Sequence, residues 1–224
     1  MKKIYGEGAI SMIAARRGFV FAVAKDDEES GKSIITYFQH DFDKGATLPA
    51  SRGVYLTEKF GQNFDFFMKT VEDFFNTIAV SLEDGRTFVM HPGGSAFVFD
   101  ANGRPKWQGR LKYKGFGPAD AVADGNSVWC SYPENNAVIK FNTNSMLADF
   151  RIAGGGSDEL SAPHGLFLHN GELVVTSAQN GRVIAINLDN FRERVIYESG
   201  EPIYQYMKID SNEIILTKSG IYKL

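Results

Sequence analysis

Polar side chains that could act on a substrate or hold a metal stand where apolar strands of this sequence are predicted to start. His164 follows Pro163 at the start of PHGLFLH, and Asp120 starts the apolar part of PADAVAD. A third candidate, His91 in MHPGGS, is predicted to lie in a loop between a second and a third strand. Imidazole and carboxylate groups exchange protons and bind divalent metals, provided that the fold brings them together.

A repeated pattern of strands indicates which elements would position these residues. PADAVADGNSVWCSYPENNAVIKFN is repeated as PHGLFLHNGELVVTSAQNGRVIAIN, with an Asp-Gly or Asn-Gly turn after the first strand. Such dipeptides are typical of tight hairpins, and apolar residues at every second position are typical of strands. The turns of all copies centre on Gly18, Gly53, Gly85, Gly125, Gly171 and Asn212.

Small antiparallel repeats bury their faces by stacking side by side, as the blades of a β-propeller do. Counting the turns predicts an all-β propeller of six blades, in a single domain over residues 1–224. The alternative is five blades, with residues 42–75 forming an elaborated loop that includes a short helix near 67–75. The final repeat lacks one strand, so we expect Lys2–Gly6 to pair with Gly220–Leu224 and close the ring.

The two best copies resemble repeats of NHL-type propellers and of the wider group that includes gluconolactonase-like and streptogramin-lyase-like proteins. The shared form is a Pro-x-Gly or Pro-x-Asp start, a strand, Asp/Asn-Gly, a second strand and an N-x-V/I-x-x-F/I strand. The resemblance implies a fold that serves hydrolases, lyases and binding modules. Gluconolactonase-like proteins hold a divalent metal with Glu, Asn and Asp. Here His164 replaces the Asn, Asp120 would be the acidic partner, and no N-terminal glutamate matches clearly.

In a propeller, the starts of the innermost strands and the loops between second and third strands lie on one face. This predicts a binding site at the mouth of the central channel, suited to a small polar molecule or a protein partner. Its predicted residues are His164, His91, Asp120, Asn76, Gln205, Gln179, Lys25 and Lys218. We favour a non-catalytic binding module. The alternative is a lyase or hydrolase that uses His164 and a divalent metal.

A second cluster of metal-binding residue types, HDFD at His40–Asp43, is interpreted as a solvated surface cluster at the end of a third strand.

Net charge and hydropathy limit the classes of partner that the protein is expected to bind. The net charge is −3 without a long basic run, and no apolar stretch is long enough to span a bilayer, so neither nucleic acid nor membrane is expected. The single cysteine, Cys130, and the lack of a signal-peptide pattern predict a cytoplasmic protein, which we expect to be a monomer.

Overall fold

The computed structural model describes residues 1–27, 32–50, 54–56, 78–153 and 160–224. In these residues, antiparallel strands form five sheets, which we call blades 1–5. Blade 1 contains β2 (Ala9–Ala15), β3 (Gly18–Asp27), β4 (Lys32–Asp41) and β5 (Ala46–Pro49), and β6 (Val54–Leu56) also pairs with β4. Blade 2 contains β7 (Ile78–Ser81), β8 (Thr87–Met90), β9 (Ser95–Phe99) and β10 (Pro105–Arg110).

The remaining blades repeat this order of strands. Blade 3 contains β11 (Asp120–Asp124), β12 (Ser127–Tyr132), β13 (Ala137–Asn142) and β14 (Ala148–Ala153). Blade 4 contains β15 (Pro163–His169), β16 (Glu172–Ser177), β17 (Arg182–Asn187) and β18 (Glu193–Glu198). Blade 5 contains β19 (Ile203–Ile209), β20 (Asn212–Thr217), β21 (Gly220–Lys223) and β1 (Lys2–Tyr5). Two short 3-10 turns occupy Pro92–Gly94 and Pro133–Asn135.

The prediction of six blades is wrong, because the described strands form a propeller of five blades. The segment taken as a sixth repeat contributes outer strands to blade 1: β5 and β6 both pair with β4, along different parts of its length. β4 is ten residues long, which gives it room for two partners. The turn predicted at Gly53 and the helix predicted at 67–75 lie outside the described residues.

The predicted pairing of the N-terminal strand is confirmed. β1 runs antiparallel to β21, with Lys2 opposite Lys223 and Lys3 opposite Tyr222. This strand completes blade 5 and covers backbone groups of β21 that would otherwise form an open sheet edge.

By their internal contacts the residues divide into two compact units. One comprises Met1–Phe75 and Met207–Leu224, and the other comprises Asn76–Tyr206. The second unit holds blades 2, 3 and 4 and most of the predicted site. The prediction of a single domain over residues 1–224 stays a prediction. Among the described residues, no helix is long and apolar enough to cross a membrane.

The core of the second unit follows from the alternation of side chains along its strands. On β12, Val128, Cys130 and Tyr132 pack into an apolar cluster shared with blade 2, whereas Trp129 packs into one shared with blade 4. Successive residues of a strand point to opposite faces, so one strand serves both clusters. Cys130 is fully buried, and this burial raises the pKa of its thiol well above the usual range. Cys130 is therefore a structural residue whose thiol is unreactive.

Candidate binding site at the start of strand β15

The start of β15 is joined to blade 3 by the side chains of Asp120 and Ser131. Asp120 accepts a hydrogen bond at Oδ2 from the backbone N–H of Leu166, at 2.7 Å, and at Oδ1 from the N–H of Ala121, at 2.8 Å. The Ser131 hydroxyl donates to the carbonyl oxygen of His164, at 2.5 Å, and accepts from the N–H of Asp120, at 3.0 Å. The two side chains therefore connect the innermost strand of blade 4 to blade 3.

The same arrangement recurs one blade further along the chain. Thr176 of β16 stands at the position that Ser131 holds in β12. Its hydroxyl oxygen accepts a hydrogen bond from the N–H of Gly165, at 2.7 Å, and donates to the carbonyl oxygen of Tyr204, at 3.1 Å. The strands approach so closely that a Cβ atom on Gly165 would lie 2.6 Å from that carbonyl oxygen. A glycine is therefore required at this point of β15.

His164 lies half-buried between these two connections. Its Nδ1 is 3.2 Å from the carbonyl oxygen of Tyr204, and its ring meets the Tyr204 ring edge-on, with centroids 5.7 Å apart. A carbonyl oxygen only accepts hydrogen bonds, so Nδ1 carries the proton and Nε2 is the acceptor of the neutral ring. Burial lowers the pKa of His164, although the Tyr204 carbonyl opposes this shift. The ring is therefore neutral at pH 7 and has Nε2 as a hydrogen-bond acceptor.

Asp120 is the most strongly perturbed carboxyl group of this region. Burial raises its pKa to about 7, against the opposing effect of the hydrogen bonds from Leu166 and Ala121. A buried carboxylate loses its hydration, and two backbone donors replace only part of it. A pKa near neutrality is typical of catalytic acids and bases, but a structural carboxyl group in the same surroundings shows it too.

The other predicted site residues are spread over the chain. Gln179 belongs to the turn between β16 and β17. Its Oε1 accepts a hydrogen bond, at 2.9 Å, from the hydroxyl group of Ser161, which precedes the first strand of blade 4. Gln205 follows Tyr204 in β19, where its Cα lies close to Gly165. His91 is exposed before the Pro92–Gly94 turn, with its ring against Phe97.

Three further predicted residues lie elsewhere or outside the description. Lys25 lies within β3, opposite Ile34, and not in the loop that the sequence pattern predicted. Lys218 is exposed in the turn between β20 and β21. Asn76 lies outside the described residues.

The residues near His164 do not fit the divalent metal site that the resemblance implied. Nε2 of His164 could still bind a metal, because a hydrogen bond from Nδ1 to a carbonyl oxygen is usual for a histidine ligand. Both oxygens of Asp120, however, already accept backbone hydrogen bonds. A metal site needs several ligands with lone pairs directed at one point. In the part of the chain that the structure describes, no three His, Cys, Asp or Glu side chains are grouped so that they could hold a metal ion.

The interpretation of His40–Asp43 as a solvated cluster is wrong for His40. This side chain is only 9% exposed, and its Nδ1 lies 2.8 Å from the hydroxyl oxygen of Thr47. Asp43 is exposed, as that interpretation predicts, and its backbone N–H donates to Oδ1 of Asp41. The signal missed in the sequence was the alternation of Phe38, His40 and Phe42, which places the imidazole on the aromatic face of β4.

Ser131 and Thr176 are the residues of this region that sequence reasoning did not single out. Their common signal was a hydroxyl residue at the fifth position of the second strand in the two best repeats. That pattern was present, but a hydroxyl group in a strand carries no information about which carbonyl oxygen it reaches.

Comparisons with known proteins identify the fold and leave the family open. No family model matches the chain, and no curated protein matches it. In contrast, 1035 chains of solved structures match, so the architecture is a common one.

Three of these structures illustrate the likeness. The WD40 β-propeller domain of Doa1 matches 95% of this chain and 61% of its own length, at 8% identity and a TM-score of 0.54. Sqt1 of Saccharomyces cerevisiae matches 96% of this chain and 72% of its own, at 10% identity and a TM-score of 0.50. The computationally designed Ika4 protein matches 66% of this chain and 89% of its own, at 13% identity and a TM-score of 0.49.

At such low identity the likeness to the Doa1 domain and Sqt1 shows the fold alone. The chain spans 61% of the length of the matched Doa1 chain. The activity of that whole protein is therefore not assigned to this chain. The narrower resemblance to NHL-type and gluconolactonase-like repeats stays a prediction. What the comparisons and the strand pairing establish together is that the described part of this chain is an all-β propeller of five blades.

Proposed function

We propose that this chain is a non-catalytic, protein-binding propeller that contacts its partner where β15 starts. The observation that carries the proposal is the use of the polar groups there. Asp120 accepts two backbone N–H groups, and Ser131 donates to the carbonyl oxygen of His164. These hydrogen bonds hold neighbouring strands together. The carboxyl and hydroxyl groups that could serve as an acid or a nucleophile are therefore used to stabilise the structure.

The hydroxyl groups near His164 support the same conclusion. Thr176 donates to the carbonyl oxygen of Tyr204, and Ser177 donates to that of Ser161, at 3.0 Å. An activated nucleophile requires instead a hydrogen bond to a base such as an imidazole. His164 directs Nδ1 at a backbone carbonyl group, which leaves Nε2 as an acceptor, and its ring meets the Tyr204 ring edge-on. An aromatic ring next to a hydrogen-bond acceptor suits the anchor of a protein partner.

The experiment compares two histidines of one strand. His164 starts β15, and His169 ends it, exposed at the opposite end. Tagged wild-type, His164→Ala and His169→Ala proteins are used to isolate partners from cells of the source organism, with quantitative mass spectrometry. We expect one or more proteins that bind the wild type and His169→Ala equally and are depleted with His164→Ala. Identical sets of proteins for all three would overturn the proposed surface.

The competing hypothesis of a lyase or hydrolase is tested on the same proteins. Wild type is assayed for lactone and ester turnover, alone and with added divalent metal ions. Turnover that His164→Ala abolishes and His169→Ala retains would overturn the non-catalytic assignment. Under our proposal, both variants and the wild type show only the background rate.

A further inference from the structure

One cavity lies within the unit formed by Met1–Phe75 and Met207–Leu224, which is not the unit that contains His164. It has a volume of about 630 Å³, which is the size of a site for a small organic molecule. Its walls come from β1, from β21, and from the end of β4, the start of β5 and the segment that joins them. The lining residues that matter here are Lys2, Lys3, His40, Phe42, Thr47 and Lys223.

The charged side chains of the cavity have one sign. Three lysines line it, and none of the described lining residues is an aspartate or a glutamate. The nearby Asp41 uses Oδ1 to accept the N–H groups of Asp43 and Lys44, at 2.9 and 3.1 Å. Lysine ammonium groups that line a cleft of low dielectric constant concentrate anions from solution.

His40 and Phe42 contribute the two rings that line the cavity. Nδ1 of His40 lies 2.8 Å from the hydroxyl oxygen of Thr47, and the His40 ring is 5.5 Å from the ring of Phe42. Lys223 places its Nζ 5.8 Å from the centre of that phenyl ring. The cavity thus combines an apolar wall with hydrogen-bonding groups and positive charge.

The electrostatics of His40 agree with this geometry. Burial lowers its pKa first of all, the charge of Lys2 lowers it further, Asp41 opposes the shift, and Lys223 adds to it. An anion between the lysines would offset their effect and raise the pKa of His40 again.

We propose that this cavity binds a small organic anion, whose oxyanion group lies between Lys2 and Lys223 and whose apolar body rests against Phe42. The oxyanion can be a phosphate ester or a carboxylate, since lysine recognises either as a point charge. An apolar body is required because inorganic ions are far smaller than 630 Å³ and leave the phenyl wall uncovered. None of the residues that carry this proposal belongs to the proposed partner surface at His164, so the two proposals can be tested separately.

The protein is titrated with phenyl phosphate, benzoate, inorganic phosphate and benzyl alcohol. Binding of each probe is measured by NMR, as changes in the chemical shifts of the His40 imidazole. The His40→Gln variant assigns those signals. We expect saturable shifts with phenyl phosphate or benzoate, weaker binding of inorganic phosphate, and none with benzyl alcohol. The stronger of the two aromatic anions identifies the preferred oxyanion. Equal effects of benzyl alcohol and the anions, or no shift with any probe, would overturn the proposal.

Charge variants supply the second readout. Lys2→Gln and Lys223→Gln should each weaken binding of the better aromatic anion by about tenfold, the loss expected for one charge-assisted hydrogen bond. Lys208→Gln is the matched control, because Lys208 pairs with Glu213 at 3.1 Å and does not line the cavity. Thermal melting verifies that all three variants fold. Undiminished affinity in both cavity variants would overturn the assignment of the lysines.

Discussion

Ser131 holds the carbonyl oxygen of His164 at 2.5 Å from its own hydroxyl oxygen, and so ties the second strand of blade 3 to the first strand of blade 4. The same oxygen accepts the N–H of Asp120. Ser131 is fully buried, so no water can replace these bonds without rearrangement. The hydroxyl group is therefore part of the structure between the blades.

Ser131→Ala should lower the free energy of unfolding by about 1–3 kcal/mol, because a buried donor and a buried acceptor lose their partner. Urea unfolding followed by tryptophan fluorescence measures the change, since Trp129 lies in the same strand. Ser127→Ala, at the start of that strand, is the matched control and should change stability by less than about 0.5 kcal/mol. Equal effects of both substitutions would contradict the assigned role.

Asp120 should make the protein more stable in mild acid than in mild base. Its pKa is about 7 in the folded state and 3.8 without the fold. Between these values the folded protein holds a proton that the unfolded chain has released, so stability falls as the pH rises towards 7. From pH 5 to pH 8 this group should lower the free energy of unfolding by about 2–3 kcal/mol.

Asp120→Asn removes this titration and should flatten that part of the pH dependence. Asp189→Asn, at an exposed position, is the matched control and should retain the wild-type profile. Urea unfolding at a series of pH values compares the three proteins. The assignment is wrong if the Asp120→Asn profile runs parallel to that of the wild type.

Strand and turn positions were predictable from the sequence because they depend on local chemistry. Asn170 and Gly171 adopt the left-handed conformations that a tight hairpin requires, with φ of 50° and 75°. Alternating apolar residues located β11 to β17 in the same way. The pairing of β1 with β21 followed from counting strands, since an incomplete repeat at one end matched a spare strand at the other.

Partners distant in sequence were not predictable in the same way. Ala46–Pro49 and Val54–Leu56 form strands, but a strand pattern does not say which neighbour it pairs with, and both pair with β4. The count of six blades failed for this reason. At the candidate site, the sequence placed Asp120 and His164 at strand starts, whereas the hydrogen bond from Ser131 to the carbonyl oxygen of His164 depends on a contact between blades.

Gly165→Ala should be among the more damaging single substitutions in blade 4. A Cβ atom there would lie 2.6 Å from the carbonyl oxygen of Tyr204 and 3.0 Å from Cα of Gln205, and both are backbone atoms that move only with β19. We expect a loss of about 2–4 kcal/mol from overpacking, by urea unfolding. Gly200→Ala is the matched control, because nothing lies within 4 Å of its added Cβ. A mild effect at Gly165 would mean that β15 and β19 are less closely packed than described.

Removal of the N-terminal strand should destabilise blade 5 and promote association. Deleting residues 1–6 uncovers the edge of β21 and removes the Tyr5 ring, whose centroid lies 4.8 Å from that of Phe21 and 5.1 Å from that of Phe38. Each lost ladder hydrogen bond is worth about 1 kcal/mol, so the total loss should reach a few kcal/mol. Tyr5→Ser separates the two contributions, since it removes the ring and keeps the strand. We expect Tyr5→Ser to melt below the wild type but to stay monodisperse in size-exclusion chromatography, and the deletion to melt lower still and to aggregate through its open edge. If the deletion and Tyr5→Ser melt at the same temperature, the ladder between β1 and β21 contributes nothing and only the ring matters.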